Sequence, residues 1–342
     1  MIEVIVNRPS FEYDIHSLVK SFFPREDVQI HVQDTFTEDT ALRISVEFTD
    51  ETVSICLMEQ GEEKESGASV INYAERKETK NRLKRQLYQL LCTYTGQTLP
   101  WGTLTGIRPA KIAMGLIEQG MSNVETAEYM RNTYLASKEK VALSVMIANR
   151  ERYVLRNIDY KDGYSLYVGI PFCPSICLYC SFSSYPLERW RKQVDQYLDA
   201  LCKELDYVAD RFRDKKLNTV YIGGGTPTTL EPYQLDRLLT RIQRKFDTEY
   251  LQEFTVEAGR PDSITREKLQ VLLDHGIDRI SINPQTMNQK TLEIIGRRHT
   301  VDQVKEAFAL ARSMGFAHIN MDLIVGLPGE SYDDVEHTMK EL

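Results

Sequence analysis

The sequence predicts an α/β fold in which a parallel sheet follows a smaller α+β region. From about residue 164 onward, apolar stretches with strand character alternate with segments whose apolar residues recur at helical spacing. Two of these helical segments end in a glycine shortly before the next strand, at Gly276 and Gly315, as helix C-termini commonly do. This βαβα succession with short connections indicates a parallel sheet, arranged either as a barrel or as a doubly wound layer.

The first part of the chain, residues 1–156, is predicted to be an α+β and helical domain whose role the sequence does not indicate. Strands are expected at 2–6, 28–32, 41–48 and 52–58, with a helix at about 15–22. Further on, a long helix at 73–94 is expected to stop at Gly96, and two or three helices follow. Ser122 and Glu125 form a capping-box pattern at the start of one of them.

Two segments of this first domain have a composition of their own. Residues 99–109 are rich in turn residues and contain Trp101, and we interpret them as a hinge in preference to a binding loop. Residues 76–85 form a basic run, which we interpret as the solvated face of the long helix. Neither segment predicts a specific chemistry.

The second domain is predicted to span residues 157–342. Its apolar strands are expected at 166–170, 220–222, 254–256, 279–282 and 319–325. The helix between the first two strands should bury one apolar stripe, from Val194 through Leu198, Leu201, Leu205 and Val208 to Phe212.

Composition narrows the class of protein. A chain of 342 residues, 42% hydrophobic and 27% charged, is typical of a globular protein of about two domains. The net charge of −8 disfavours a nucleic-acid partner. No apolar run approaches the roughly 18 residues of a membrane span, and no secretory pattern is visible, so we expect a cytoplasmic protein. In that reducing compartment the six cysteines are expected to be ligands or free thiols.

Three cysteines, Cys173, Cys177 and Cys180, follow the first strand of the second domain within eight residues. Closely spaced thiolates on a loop suit an iron–sulfur cluster. A [4Fe–4S] cluster has four irons, so its fourth iron is either closed by a distant residue or left open for a substrate, as catalytic metal sites leave a position free. A structural zinc site is the alternative, but it needs a fourth ligand, and no nearby candidate is evident.

Polar groups recur where the predicted strands end, which is the edge at which parallel α/β folds carry their chemistry. Three glycines at 223–225 follow the second strand and let the backbone approach a ligand closely. Glu257 ends the third strand, and Gln285 follows the fourth. Asp322 is expected inside the fifth strand, in an apolar run where a charge requires a partner.

The cysteine spacing C-x3-C-x2-C over residues 173–180, with Tyr179 before the last cysteine, resembles the signature of radical S-adenosylmethionine (SAM) enzymes. The segments YVGIPFC at 167–173 and GGGTPT at 223–228 resemble the oxygen-independent coproporphyrinogen III oxidase (dehydrogenase) family. The segment WGTLTGIRP at 101–109 is similar to its HemZ-like subgroup. The resemblance is strong from about residue 164 to 329. In the preceding part of the chain it depends on the segment 101–109 alone.

The resemblance implies a partial TIM-type (β/α)6 barrel whose three loop cysteines hold a [4Fe–4S] cluster with one open iron. SAM would bind that iron, and some members of the branch bind a second SAM. Carried over position by position, the SAM-binding residues are Tyr167, Tyr179, Gly224, Gly225, Thr226, Glu257, Gln285, Arg297 and Asp322. Five strands are visible where the family has six, so we interpret the chain as C-terminally truncated.

The activity that the resemblance implies is oxidative decarboxylation of coproporphyrinogen III. A 5′-deoxyadenosyl radical takes a hydrogen atom from a propionate, CO2 and an electron leave, and two rounds give the two vinyl groups of protoporphyrinogen IX. An electron donor such as flavodoxin or ferredoxin would reduce the cluster. The sequence assigns no catalytic residue beyond the ligands of cluster and SAM.

The chain departs from the pattern of this family in three ways, at four positions. Phe182 stands where established oxidases have a further cysteine, and Gly169 stands where many relatives have histidine. Asn283 and Pro284 replace a glycine and a valine before the fourth-strand glutamine. Phe182 also occurs in the sister group of haem chaperones, so the alternative function is a haem-trafficking protein without decarboxylase activity.

Overall fold

A computed structural model describes residues 1–32, 40 and 42–342 of the chain. These residues form two compact units, Met1–Arg156 and Asn157–Leu342. Among the residues of these ranges, no helix has both the length and the apolar character needed to cross a bilayer.

The first unit is a five-stranded mixed sheet with five helices. Its strands are β1 (Ile2–Val6), β2 (Val28–Val32), β3 (Leu42–Phe48), β4 (Thr52–Glu59) and β5 (Glu62–Val70). Its helices are α1 (Glu12–Phe22), α2 (Arg76–Thr95), α3 (Pro109–Glu118), α4 (Asn123–Tyr134) and α5 (Lys138–Leu155), and a 3-10 turn at Tyr73–Glu75 precedes α2. The strand order is β2-β1-β3-β4-β5, in which β1 pairs in parallel with both neighbours and the last two pairings are antiparallel.

Most of the elements predicted for this region are confirmed. The strand expected at 41–48 is present over Leu42–Phe48, whereas Ala41 lies outside the described residues. Gly96 ends α2 in the left-handed conformation at φ 67°, and the capping box of Ser122 and Glu125 opens α4.

Strand β5 is the element that the sequence pattern did not predict. Its sequence EEKESGASV is polar and its residues alternate only between half-buried and exposed, so it lacks the apolar alternation of a core strand. The turn before it carries the signal instead. Gln60 and Gly61 both have positive φ, 52° and 82°, as a two-residue hairpin turn requires.

The second unit alternates strands and helices. Its strands are β6 (Gly163–Ile170), β7 (Phe172–Cys173), β8 (Tyr185–Pro186), β9 (Lys216–Gly224), β10 (Glu253–Glu257), β11 (Arg279–Ser281) and β12 (His318–Asn320). Its helices are α6 (Leu187–Trp190), α7 (Val194–Arg211), α8 (Pro232–Lys245), α9 (Arg266–Asp274), α10 (Gln289–Ile294), α11 (Val301–Met314) and α12 (Tyr332–Glu341). Short 3-10 turns lie at Arg191–Gln193, Pro227–Thr229 and Pro261–Ser263.

The main sheet of this unit is parallel throughout, with the order β12-β11-β10-β9-β6. Within this sheet, each strand pairs with the sheet strand that precedes it in the chain. A doubly wound sheet reverses its strand order at a switch point, whereas a barrel does not. The described sheet is therefore of the barrel type, which confirms the predicted partial (β/α) barrel.

The fifth strand is shorter than predicted. The prediction extended it over 319–325, but β12 ends at Asn320, and Asp322 lies beyond it. The Asp322 amide donates to Asn283 Oδ1 at 3.2 Å instead of continuing the ladder. One isolated bridge, between Gln285 and Leu323, follows the sheet. The apolar run therefore lies beyond the carboxyl end of the sheet and not within it.

Helix α7 illustrates how an apolar stripe packs a helix against the sheet. Val194, Leu198, Leu201 and Leu205 are buried, as predicted, and each such leucine contributes about 1.5–3 kcal/mol relative to an exposed one. Phe212, predicted as the end of the stripe, is 42% exposed because it follows the last helical turn. Its ring packs on that of Tyr164, with the ring centroids 4.9 Å apart. Gly276 and Gly315 have φ of 73° and 106°, which confirms them as helix stops.

Candidate functional site

The cysteine loop follows the carboxyl end of β6 and is held by several hydrogen bonds. The Tyr185 amide donates to the Pro171 carbonyl at 2.7 Å, which closes the base of the loop. Further along, Ser175 Oγ donates to the Gly296 carbonyl at 2.8 Å. A turn with a 3.0 Å bond from the Cys180 amide to the Cys177 carbonyl places the last two cysteines close together.

A cavity of about 450 Å³ lies beside this loop, at the carboxyl ends of the parallel strands. It brings together all but one of the residues that the resemblance assigns to the cluster and to SAM, namely Cys173, Cys177, Tyr179, Cys180, Gly224, Gly225, Thr226, Glu257, Gln285, Arg297 and Asp322. Phe182 also lines it, with its side chain 73% exposed. Tyr167 is not in the wall of the cavity.

The triple glycine at the end of β9 lies directly against the cysteine loop. The Gly225 amide donates to the Ile170 carbonyl and the Thr226 amide to the Phe172 carbonyl, both at 2.8 Å. A Cβ atom on Gly225 would lie 2.8 Å from the Phe172 carbonyl oxygen and 2.9 Å from Cys173 Sγ. Glycine is therefore required here by the close approach of two backbones and a sulfur.

Cys173 is half-buried and lies beside the glycine-rich segment of β9. Its Sγ lies 3.5 Å from Thr226 Oγ1. Burial raises the pKa of this thiol, while the hydrogen bond from Thr226 and the positive charge of Arg260 oppose that shift. The hydroxyl and the guanidinium are thus placed to stabilise a thiolate at this position.

Arg260 lines the cavity and is a residue that the sequence analysis missed. Its side chain is 3% exposed, forms a 3.0 Å ion pair with Asp262, and donates to the Ser175 carbonyl and hydroxyl at 3.3 and 3.1 Å. The same guanidinium lies 3.7 Å from Cys177 Sγ. Its position three residues after Glu257, in a strand-end loop, is the signal that could have found it. Arg260 ties the middle of the cysteine loop to the end of β10.

Glu257 also lines the cavity, and two tyrosines outside the cavity wall adjoin it. Tyr221 Oη donates to Glu257 Oε1 at 2.5 Å, and the rings of Tyr167 and Tyr221 stack with centroids 6.0 Å apart. Desolvation raises the pKa of the Glu257 carboxyl, with a further contribution from Asp322, while the bond from Tyr221 opposes it. Tyr167 is therefore connected to Glu257 through Tyr221, a residue that the sequence analysis also missed.

Arg297 and Tyr179 occupy the side of the cavity near α10. The Arg297 guanidinium donates to the Asn283 carbonyl, and its Nε has no hydrogen-bond partner within the described residues. Burial raises the pKa of the Tyr179 hydroxyl to about 12, against the effect of the neighbouring Arg297 charge. Asn283, a departure from the family pattern, thus binds both Arg297 and the Asp322 amide.

Gln285 has an unusual backbone for its residue type. Its φ is 66°, in the left-handed region that favours glycine, and the residue is 8% exposed. Its Oε1 has no hydrogen-bond partner in the part of the chain that the structure describes. Strained backbone and unpaired buried acceptors cluster at functional sites, where a ligand can satisfy them.

The donor set is three cysteine thiols at one cavity, and cysteine thiolates are the ligands that bind iron–sulfur clusters. Across the described ranges, no three His, Cys, Asp or Glu side chains converge so that they could hold one ion. In a cubane each thiolate binds a different iron, so the three sulfurs need not converge on one point. The residue next to Cys173 is Gly225, so no side chain at that position fills the cavity beside these sulfurs.

Comparisons with known proteins agree on one family. The family model described as the radical SAM superfamily matches residues 167–342. The chain is 41% identical over 269 residues to the oxygen-independent coproporphyrinogen-III oxidase-like protein HemZ of Bacillus subtilis, covering 78% of this chain and 54% of that protein. It is also 41% identical over 176 residues to the heme chaperone HemW of Bacillus subtilis, covering 51% of this chain and 46% of that protein.

Among solved structures, the coproporphyrinogen III oxidase HemN of Escherichia coli matches with a TM-score of 0.49 and 30% identity, over 56% of this chain and 44% of that one. The chain spans about half the length of the curated relatives that it matches.

Proposed function

Because the chain belongs to the radical SAM superfamily, we propose that it is a SAM-dependent oxidoreductase that decarboxylates coproporphyrinogen III. The superfamily uses a [4Fe–4S] cluster and SAM. In the proposed reaction two propionate side chains become vinyl groups to give protoporphyrinogen IX, and each loses a hydrogen atom to a 5′-deoxyadenosyl radical, CO2, and one electron to an external one-electron acceptor. The electron donor that we propose is a flavodoxin or a ferredoxin.

One observation carries the cofactor part of the proposal: three cysteines and the polar strand ends line a single cavity. We assign Cys173, Cys177 and Cys180 to three irons and leave the fourth iron for the amino and carboxylate groups of SAM. The residues assigned to one SAM, or shared between two, are Tyr179, Gly224, Gly225, Thr226, Glu257, Gln285, Arg297 and Asp322, with Tyr167 acting through Tyr221.

When bound, the cluster and SAM supply the one-electron reduction and the hydrogen abstraction that begin the reaction. The protein contributes position and charge. Thr226 and Arg260 stabilise the loop sulfurs, and the unpaired Arg297 Nε and the Glu257 carboxylate offer a donor and an acceptor to the zwitterionic end of SAM. The backbone of Gly224 and Gly225 can approach that group without a side chain between them.

The substrate part of the proposal is supported by the similarity to HemZ and to coproporphyrinogen oxidases. A haem-trafficking function is the second candidate, favoured by the similarity to HemW and by Phe182 at the rim of the cavity, where established oxidases carry a cysteine. The two candidates predict different behaviour toward the same macrocycle, since one turns it over and the other carries it.

The assay that separates them uses anaerobically reconstituted protein with SAM, a reductant and coproporphyrinogen III. We expect 5′-deoxyadenosine, CO2 and a divinyl porphyrin after reoxidation, each measured chromatographically. Formation of 5′-deoxyadenosine without any consumption of coproporphyrinogen would exclude the proposed substrate. Stoichiometric haem binding without turnover, followed by spectral titration, would then favour the chaperone.

Replacing Arg260 by methionine is expected to accelerate the loss of iron from the cluster by about 10–100-fold, the usual effect of removing a group that orients metal ligands. Methionine keeps the apolar stem but removes the bonds to Ser175 and to Cys177. The measurement is the rate at which a chelator removes iron under anaerobic conditions. Arg213→Met, at an exposed arginine paired with Asp210, is the control. Equal rates in wild type and Arg260→Met would contradict a role in holding the loop.

A further inference from the structure

A second cavity lies within the first unit and has no part in the site described above. Its volume is about 560 Å³, within the range of small-molecule sites. We call it the lysine cavity, after Lys77, Lys80, Lys84 and Lys111 in its wall. Helices α2 and α3 contribute these lysines, and the segment 99–109 contributes Thr103, Thr105 and Ile107.

The cavity concentrates positive charge in a chain whose net charge is −8. Four lysines and a single carboxylate, Asp14, line it, and Asp14 Oδ1 lies 3.7 Å from Lys80 Nζ and 3.9 Å from Lys84 Nζ. Neither Lys77 nor Lys111 forms an ion pair with any described residue. The excess of cations over carboxylates predicts an anionic ligand.

Lys84 is the most informative of the four. Its side chain is 7% exposed, and its Nζ donates to Thr105 Oγ1 at 2.9 Å. A lysine is almost never this buried without a paired charge. Desolvation lowers the pKa of this amine, and only Asp14, shared with Lys80, opposes the shift. A ligand anion would complete the pairing that Asp14 provides only in part.

The remaining wall is apolar, with Leu104, Ile107, Ile112, Leu116 and Met121. Ile107 is 50% exposed, which is a large apolar surface beside a cluster of lysines. A small inorganic anion would leave this wall unused. A ligand with an apolar body and several peripheral carboxylates would contact both kinds of surface.

We propose that the lysine cavity binds a carboxylated tetrapyrrole, with its propionates toward the lysines and its macrocycle against the apolar wall. The choice of a tetrapyrrole rests on the proposed function, which supplies this class of substrate. The cavity is then a second porphyrin-binding site, separate from the one at which chemistry occurs. The segment 99–109, interpreted from sequence as a hinge, becomes part of a binding site.

The test is a fluorescence titration of the whole protein with coproporphyrin III, the stable oxidised form of the macrocycle. The triple variant K77Q/K80Q/K111Q is expected to bind it at least about tenfold more weakly, since each exposed ion pair contributes modestly and three are removed. Ile107→Ser, which changes only the apolar wall, should also weaken binding. Lys138→Gln, at an exposed lysine on α5 outside the cavity, should bind like wild type.

Two further measurements make the outcome decisive. The titration is repeated in Cys177→Ala, which leaves the lysine cavity intact, and with inorganic pyrophosphate as a competitor. Unchanged affinity in the triple variant overturns the proposal, and so does binding of pyrophosphate by a protein that binds no coproporphyrin. If the lysines and Ile107 matter for binding but coproporphyrinogen is never consumed, the oxidase proposal fails and this site stands. If turnover is normal and the triple variant binds porphyrin like wild type, this site fails alone.

Discussion

Replacing Cys177 by alanine is expected to abolish the iron–sulfur absorbance after anaerobic reconstitution and to reduce SAM cleavage by more than about 100-fold. Loss of a group that only orients a ligand already costs up to about that factor. Cys177 lies in the part of the loop that hydrogen bonds hold in place, and its Sγ lies 3.7 Å from the Arg260 guanidinium. Removing its sulfur leaves that cation and two remaining thiols, too few to hold the cluster. Iron content, absorbance and 5′-deoxyadenosine yield are the measurements.

The control for this variant is Cys56→Ala. Cys56 is also half-buried, but it lies on β4 of the first unit, so its replacement removes a thiol without touching the cysteine loop. Because neither side chain is in the core, both variants should keep the melting temperature of the cluster-free wild type. A Cys177→Ala protein that binds iron and cleaves SAM normally would contradict the assignment of this loop to a cluster.

Replacing Gly225 by alanine should have a comparable effect on SAM cleavage, about 100-fold, although it removes no functional atom. The new Cβ would lie 2.8 Å from the Phe172 carbonyl oxygen, 3.0 Å from the Ile170 carbonyl oxygen and 2.9 Å from Cys173 Sγ. Two of these atoms are backbone and cannot move away cheaply, so the loop and β9 must separate. Displacements of about 1 Å in a positioned site can cost this factor in rate, and overpacking costs about 1–3 kcal/mol in stability.

A matched glycine tests whether the effect is steric. A Cβ on Gly169, at the end of the neighbouring strand β6, would meet its first atom at 3.6 Å, an ordinary contact. Gly169→Ala should therefore keep cluster content and SAM cleavage near those of wild type. If both alanine variants behave alike, the close approach at Gly225 is not what positions the cysteine loop.

The strand ends show what local sequence can predict about this site. Glu257 was found because a short apolar strand ends on a carboxylate, and β10 does end there. Asp322 was placed inside a strand, since an apolar run of that length has strand character whether or not a neighbour pairs with it. The hydrogen bond from the Asp322 amide to Asn283 depends on a residue 39 positions earlier, which periodicity cannot reveal.

Arg260 and Tyr221 illustrate a different limit of predicting site residues from local sequence. Both act through partners distant in the chain, Ser175 and Glu257 respectively, and neither belongs to a spacing pattern. An arginine in a polar loop is most often solvated, so its 3% exposure becomes evident only when the loops are folded together. Motifs predict the groups that perform chemistry better than the groups that hold them.

The backbone of Gln285 has a thermodynamic consequence for the whole second unit. A non-glycine residue at φ 66° costs about 1–3 kcal/mol, and a buried acceptor without a partner among the described residues costs a similar amount. A ligand that donates to Gln285 Oε1 binds the folded chain and not the unfolded one, so binding and folding are linked. The unit should therefore unfold at a temperature that rises with the logarithm of ligand concentration, and in Gln285→Gly that rise should begin at a higher ligand concentration while the ligand-free protein remains folded.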